Sequence, residues 1–491
     1  MLALAGGMSG MRPVMAQGAP AAAAGPAKAP ADNLVGIQMG PHTLLDEGIE
    51  HVLDLIQEHA AINAIFVYSH SYGGDLKKQL NVLATDHGLP PKDQRSRNLP
   101  NVWVKQHDEY FKDTTLRHPK VDATFDYHEH DLFAELLAPC RKRGIKLYAR
   151  ILEAGPKGIE NFNKITTVDV NGRRTGTGCW SHPEYKAFWN ATVEDLFKSY
   201  ELDGFQWGAE RESPLLNVLL NGNATSACCF CEHCVARNKK NGVDGERAKK
   251  GFAEIAAYVG GLRNGTPKIA EGALAGFFRI MFRYPEVMAW ETEYRRAREE
   301  ILQGMYTTIK KIKPTAPVGW HVDHWAISMN PIARMQMSYA EMAPYSDYLK
   351  TVVYHACLGP RMLSFLTNMN RGIMADFPLD ELFNMYYDFL GYDKSIEPTA
   401  AQAARKGFSD DYVRRETAHG VASAAGKTKI YPGIGFNVPA SPADDPEMIY
   451  QAVAKAYQAG AAGFVASREY EEMTVPNLKA VGRAVRELTK A

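Results

Sequence analysis

From residue 33 onward, short runs rich in β-branched and aromatic residues alternate with longer stretches whose apolar positions recur at the 3.6-residue spacing of an amphipathic helix. The strand-like runs are LVGIQM (34–39), AIFVYS (64–69), IKLYARIL (145–152), DGFQWGA (203–209), PVGWHV (317–322), DYLKTVVY (347–354), KIYPGIGF (429–436) and AGFVAS (462–467). Helical spacing predicts helices over 44–59, 128–143, 183–200, 285–313, 331–343, 446–459 and 475–488, several with proline in or beside the first turn. Gly144 and Gly460 stand where a helix C-cap feeds the next strand. Eight strands, each followed by helical sequence, is the order of a parallel α/β (β/α)8 TIM barrel.

Three connections are longer than such a barrel needs, at about 73–124, 217–285 and 357–426. They are read as rim insertions into a single domain spanning 33–491, the kind of segment that carries function or joins subunits in a homo-oligomer. Residues 1–32 differ from the rest: they are small, apolar and Ala/Pro-rich, with A-x-A-like sites between Ala16 and Ala24. They are expected to be the remnant of an export signal, which would place the protein in the periplasm or outside the cell; a disordered Ala/Pro segment is the other reading. No later run of about 18 apolar residues exists, so no membrane span is expected. Lys+Arg 56 balances Asp+Glu 56, and no basic run is interleaved with aromatics, which argues against nucleic acid as a partner.

In this fold chemistry collects at the C-terminal ends of the strands, so the residues that follow each run form a ring. They are Ser69-His70-Ser71, Glu153, Glu210-Arg211-Glu212, His321-Val322-Asp323-His324, His355, Asn437 and Arg468-Glu469. Glycoside hydrolysis needs two carboxyl groups, one protonated as donor and one ionised as nucleophile or base. Glu210 is the best donor, with Arg211 and Glu212 beside it to tune it, and Asp323 or Glu469 is the second catalytic carboxylate. His70, Glu153, Arg211, His321, His324, His355, Asn437 and Arg468 are then substrate-binding candidates. Trp207, Trp320 and Trp325 lie beside these positions, with faces suited equally to stacking on sugar rings or to packing.

Two other readings use the same ring. Glu210, Asp323, His355 and Glu469 make a carboxylate-imidazole set suited to Mn²⁺ or Mg²⁺, a pattern like that of xylose-isomerase-like barrels, which points to a metal-dependent isomerase, epimerase or lyase with a second divalent ion. The seventh run offers Asn437 and no acid, which motivates a non-catalytic carbohydrate-binding barrel.

Seven cysteines stand at 140, 179, 228, 229, 231, 234 and 357. Cys229-x-Cys231-x-x-Cys234 supplies three corners of a tetrahedral Zn²⁺ site of structural type. Cys179, in TGCWSHPEYKAF, is the natural fourth ligand, with Cys228 and His233 as substitutes. A disulfide from Cys179 to Cys228 or Cys229 is the competing reading.

The order CWSHPEY before a helix, then a strand ending in glutamate, then CFCEHC leading into a helix, resembles the zinc-bearing part of the glycoside hydrolase family 42 β-galactosidases. The resemblance covers about 175–240. It implies zinc on Cys179, Cys229, Cys231 and Cys234, proton donation by Glu210, and a carbohydrate substrate. The sequence departs from the family at two points: Ala209 precedes Glu210 where the family has asparagine, and IYPGIGFNVP has no match to the family's nucleophilic glutamate. The resemblance is therefore to a distant relative among barrel glycoside hydrolases.

Overall fold

A computed structural model of the chain describes residues 29–30, 32–72, 86–88, 101–120, 127–153, 158–438, 441–442 and 444–490. Of the segment expected to direct export, only residues 29, 30 and 32 are described, and of the first rim insertion only 86–88 and 101–120. The strands in chain order are β1 Leu34–Met39, β2 Ala64–Ser71, β3 Asn101–Val102, β4 Lys146–Glu153, β5 Thr166–Val168, β6 Arg174–Gly178, β7 Gly204–Ala209, β8 Val318–Val322, β9 Tyr348–Thr351, β10 Lys429–Ile430, β11 Gly433–Gly435 and β12 Gly463–Ser467. All eight runs read from the sequence are strands, the seventh divided into β10 and β11 by Tyr431-Pro432. Proline has no N–H for a ladder, which accounts for the break.

Nine of these strands form one curled parallel sheet in the order β10-β9-β8-β7-β4-β2-β1-β12-β11, and β3 adds antiparallel to β2. The two ends of this path, β10 and β11, belong to one seven-residue segment. Val352 of the segment after β9 bridges Gly433 of β11, while Ala462 N–H and Val465 N–H donate to Ile430 and Pro432 carbonyls.

Side chains alternate across the strands, so each has one face toward the helices and one inside the curl. The outer face carries Val35, Ile37, Ile65, Val67, Leu147, Ala149, Phe205, Trp207, Val318, Trp320 and Leu349, mostly packed in the main hydrophobic core with the helices. The inner face carries a second, separate cluster of Leu34, Ala64, Phe66, Tyr148, Tyr348, Tyr431 and Val465. Phe66 and Tyr148 rings lie 4.5 Å apart and Tyr348 and Tyr431 rings 5.1 Å apart, closing one end of the curl. Further along the same inner face the residues become polar: Gln38, Tyr68, Arg150, Gln206, His321, Lys350 and Ser467.

Helices fall close to the expected places, with two differences. The predicted helix over 44–59 is broken at Gly48, whose φ of 90° no helix accommodates, leaving Pro41–Asp46 and Ile49–Ala60. The predicted helix over 331–343 is Pro331–Gln336, Tyr339–Met342 and a 3₁₀ turn at Ala343–Tyr345, because Ser338 caps a new start by accepting from Glu341 N–H. The connection read as the second insertion holds helices Glu232–Lys240, Gly245–Arg263 and Ala273–Arg283, and that read as the third holds Leu379–Leu390 and Asp410–Ala424. Among the described residues no helix is long and apolar enough to cross a membrane.

Candidate active site and cysteine cluster

Glu210 follows β7, where the inner-face alternation through Gln206 and Gly208 brings it to the mouth of the curl. Its side chain is 49% exposed, and Oε1 meets His321 Nε2 of β8 at 3.1 Å. A Cβ on Gly208 would lie 2.6 Å from His321 Cβ, so only glycine lets the imidazole approach. Burial alone would raise the Glu210 carboxyl, but the His321 hydrogen bond and the nearby charges of His321, Arg361 and Lys350 bring it down to about 2. Burial, with Lys350 and Arg150 nearby, lowers His321 to about 4. At neutral pH the pair is thus a carboxylate and a neutral imidazole that donates Nε2–H, leaving the buried Nδ1 without a partner. The loop carrying Glu210 is fixed from behind by Glu291 of the long helix Glu286–Ile312, which accepts Leu215 N–H at 2.6 Å.

Asp323, just after β8, is 8% exposed and accepts Ala326 N–H at 2.9 Å. Burial is the main reason that its carboxyl rises to about 6, aided by the charges of Glu210 and Glu212 and opposed by Ala326 N–H and Arg298. Glu469, after β12, accepts Arg150 Nη1 at 3.0 and 3.1 Å and Tyr68 hydroxyl at 3.2 Å, and burial raises its carboxyl despite the arginine. Between these carboxylates lies Lys350 of β9, 0% exposed, whose Nζ donates to the Tyr354 hydroxyl at 2.7 Å, its one side-chain hydrogen bond among the described residues. A Cβ on Gly433 would fall 2.7 Å from Nζ, so that glycine makes the space for the lysine. Burial, reinforced by Arg150, holds the ammonium well below the usual lysine range.

Several residues expected to touch substrate are engaged elsewhere. Trp207 and Trp320 point to the helix side: Trp207 packs on Trp180 and Trp189, and Trp320 Nε1 donates to Tyr345 carbonyl at 2.8 Å. Both are core residues because they are odd-numbered steps from Glu210 and His321 along their strands. Trp325 is half-buried after β8 and meets Phe365 edge-on at 5.5 Å. His70 sits at a register shift in β2, and its ring lies tilted against that of His118 at 4.0 Å. Glu153 and Arg211 form a buried ion pair with each other; Arg211 also lies 3.7 Å over the Trp180 ring and donates to Gly178 carbonyl, so it does not tune Glu210. Asn437 accepts from Thr474 N–H and Asn477 Nδ2, and Arg468 is paired with Glu472. His324 takes Arg361 Nη1 on Nδ1 at 3.1 Å and meets the Tyr412 hydroxyl at 3.3 Å. His355 is 1% exposed and neither ring nitrogen has a hydrogen-bond partner.

The metal-ligand set of the alternative reading does not assemble. Glu210, Asp323, His355 and Glu469 form no group with ligand atoms within reach of one ion; among the described residues only Cys179, Cys229, Cys231 and Cys234 do so. Their sulfurs all lie within 4.8 Å of one another, with Cys179 3.5 Å from Cys231 and 3.4 Å from Cys234, near the edge of about 3.8 Å implied by a tetrahedron of ~2.3 Å Zn–S bonds. All seven cysteines are free, so the disulfide reading fails. Backbone N–H of Val168 and Cys231 point at Cys229 Sγ at 3.3 and 3.4 Å, a favourable setting for a thiolate. Cys179, Cys229 and Cys234 hydrogen bonds drive Cys231 toward thiolate, while those from Cys229 and Cys231 push Cys179 up and those from Cys179, Cys229 and Cys231 push Cys234 up. Four thiols so close cannot all ionise without a cation among them, and the set fits Zn²⁺.

The residues missed from the sequence are Arg150, Lys350, Tyr68, Tyr354 and Arg361. Arg150 and Lys350 carry a signal that could have found them: each is a single charge inside an otherwise apolar strand run, YARIL and YLKTVV. Such a charge is buried only when its surroundings hold polar partners.

No protein-family model matches the sequence, and no curated protein matches it. Among solved structures, the PgaB (BpsB) glycoside hydrolase domain from Bordetella bronchiseptica is similar at a TM-score of 0.50 and 10% identity, over 93% of this chain and 98% of that one. The β-galactosidase of the psychrophilic Marinomonas ef1 gives a TM-score of 0.49 at 11% identity over 93% of this chain. That of the haloarchaeon Halorubrum lacusprofundi gives 0.49 at 12% identity, also over 93%. The chain spans 59% and 58% of the length of these two enzymes. The first similarity defines the fold class: an α/β fold with a curled parallel sheet, shared with a TIM-barrel-like glycoside hydrolase domain.

Proposed function

We propose that this protein is a carbohydrate-active hydrolase that cleaves glycosidic bonds with Glu210 and Asp323, carboxyl groups that follow the adjacent strands β7 and β8. The observation that carries the reading is their opposed protonation. His321 and two nearby cations keep Glu210 ionised, whereas burial keeps Asp323 neutral up to about pH 6. Two acids held apart in this way are the equipment of glycoside hydrolysis: Asp323 protonates the leaving oxygen, and Glu210 attacks the anomeric carbon or activates water. This exchanges the roles read from the sequence, where Glu210 was the proton donor. Arg150 and Tyr68 hold Glu469 as a supporting carboxylate.

On this reading β10 and β11 are one interrupted strand, and the sheet is a closed (β/α)8 barrel with the two acids at its C-terminal mouth. The inner aromatic cluster supports it, since it fills the far end as a packed plug. Cys179, Cys229, Cys231 and Cys234 would hold Zn²⁺ as a structural ion that clamps the loop after Glu210 to the β5–β6 hairpin, with no part in the bond cleavage.

The test is a panel of oligosaccharides and aryl glycosides incubated with the full chain. For whichever substrate is cleaved, Glu210→Gln and Asp323→Asn should each lower turnover by about 10²–10⁴-fold with an unchanged melting profile. If either variant keeps turnover within twofold of the parent, the pair is not the catalytic one.

A further inference from the structure

Cations around the strand ends divide into two groups. Arg150 is paired with Glu469, Arg211 with Glu153, Arg468 with Glu472 and Arg334 with Glu416. Lys350 and Arg361 are not: among the described residues the lysine donates only to the Tyr354 hydroxyl, and the arginine only to the unprotonated Nδ1 of His324. Both act on Glu210 at a distance. Burial holds the Lys350 ammonium well below the usual lysine range, so Arg361 is the cation that matters beside Glu210.

Arg361 is also held in place. It projects from the first turns of the helix His355–Asn370, which starts directly after β9, and donates Nη1–H to His324 Nδ1 at 3.1 Å. That imidazole must then carry its proton on Nε2, which donates to Tyr412 hydroxyl at 3.3 Å, and Tyr412 donates in turn to Ser328 Oγ at 2.5 Å. One edge of the half-buried guanidinium is thus fixed by a chain of three buried partners, and among the described residues its other N–H groups make no hydrogen bond. A guanidinium with one edge anchored and the rest free is prepared for a planar anion, which it can bind with two parallel hydrogen bonds.

We infer that the site takes glycosides bearing an anionic group, of which a uronic-acid carboxylate is the best match to the planar fork, and that Arg361 is the residue that binds it. Lys350 is fully buried and does not touch the substrate. This inference deepens the hydrolase reading and rests on it for the location of the substrate.

The experiment measures binding by calorimetry, without turnover, using sodium glucuronate, sodium galacturonate, glucose 6-sulfate, glucose and galactose on the full-length Glu210→Gln protein. At least one uronate should bind at least tenfold tighter than its neutral counterpart, with the difference shrinking as salt is added. Arg361→Gln should abolish that difference and leave neutral-sugar binding unaltered, while Arg361→Lys should restore part of it. Preference for the sulfate over both uronates would replace the carboxylate by a tetrahedral anion as the recognised group and overturn the uronate assignment. Equal or tighter binding of the neutral sugars, binding of none of the five, or a preference that survives in a folded Arg361→Gln protein overturns the inference. Hydrolysis of neutral glycosides that depends on Glu210 and Asp323 would, in the same event, leave the hydrolase reading intact.

Discussion

Glu210 and Asp323 stand one strand apart, yet their carboxyl protons leave in different ranges because their surroundings differ. Glu210 receives His321 Nε2–H and lies near Arg361; Asp323 is enclosed and has one backbone donor. Between about pH 2 and 6 the first is ionised and the second protonated, so activity that uses Asp323 as donor should fall as pH rises through about 6. His321→Ala removes the hydrogen bond that helps to lower Glu210, and should move the acidic limb of the pH profile of kcat/KM upward by about one unit. An acidic limb that stays in place would show that His321 does not set the ionisation of Glu210. The carboxylates themselves were visible in the sequence as residues that end strand runs. What was not visible is which face each neighbour takes: Trp207 and Glu210 are three residues apart, hence on opposite faces, and Trp320 and His321 are adjacent. Counting in twos from Glu210 leads to Gly208 and Gln206, and counting in twos from Lys350 leads to Tyr348, which sorts inner from outer residues without coordinates.

At the level of elements, the cysteine cluster joins three separate pieces: the residue after β6, the loop after the 3₁₀ turn Ala224–Ser226, and the first turn of the helix Glu232–Lys240. Phe230 N–H donates to Val168 carbonyl at 2.7 Å, so the hairpin β5–β6 and the cysteine loop are already hydrogen-bonded beside the sulfurs. The Cys-x-Cys-x-x-Cys spacing made the cluster legible, because a thiolate triad so close in sequence can only face inward together. The hairpin that supports it was not legible: TTVDVNGRRTGTG is polar and short, and its two strands pair with each other outside the main sheet. Elemental analysis of the purified chain should give one zinc per molecule. Removal by a strong chelator, or Cys231→Ser, should lower stability by several kcal/mol, read as an earlier unfolding transition, because ion binding is part of the folding free energy. Loss of metal without any change in that transition would mean that the four thiols are not a structural site. Strand assignments survived because each run is uniform in character, whereas the helix over 331–343 did not, since Ser338 starts a new turn that apolar spacing alone cannot register.

For the molecule as a whole, residues 86–88, within the connection after β2, are held against distant parts of the chain. His87 is enclosed: Nδ1 lies 3.1 Å from Glu47 Oε1 and Nε2 lies 2.6 Å from Met473 carbonyl, and the ring stacks on Tyr470 at 4.5 Å. Tyr470 hydroxyl donates to Glu47 Oε2 at 2.8 Å, and Val475 N–H donates to Asp86. Both imidazole nitrogens therefore face acceptors, an arrangement that calls for the doubly protonated ring. Burial pulls the imidazole down, but Glu47, the Met473 carbonyl and Asp86 together raise it above its ordinary value near 6.5. Because the folded-state value is the higher one, the stabilisation is fully present below about pH 6.5 and is lost as pH rises through the raised value. The link ties the first rim insertion to Glu47 and to the segment after β12, which also carries Glu469 and the Arg468–Glu472 pair. His87→Gln should then cost about 1.5–3 kcal/mol at pH 6 and much less at pH 9, measured by denaturant unfolding of both proteins across that range. A cost that is equal at the two pH values would mean that His87 is held as a neutral packing residue, and that the insertion is docked by its stacking on Tyr470 instead of by charge.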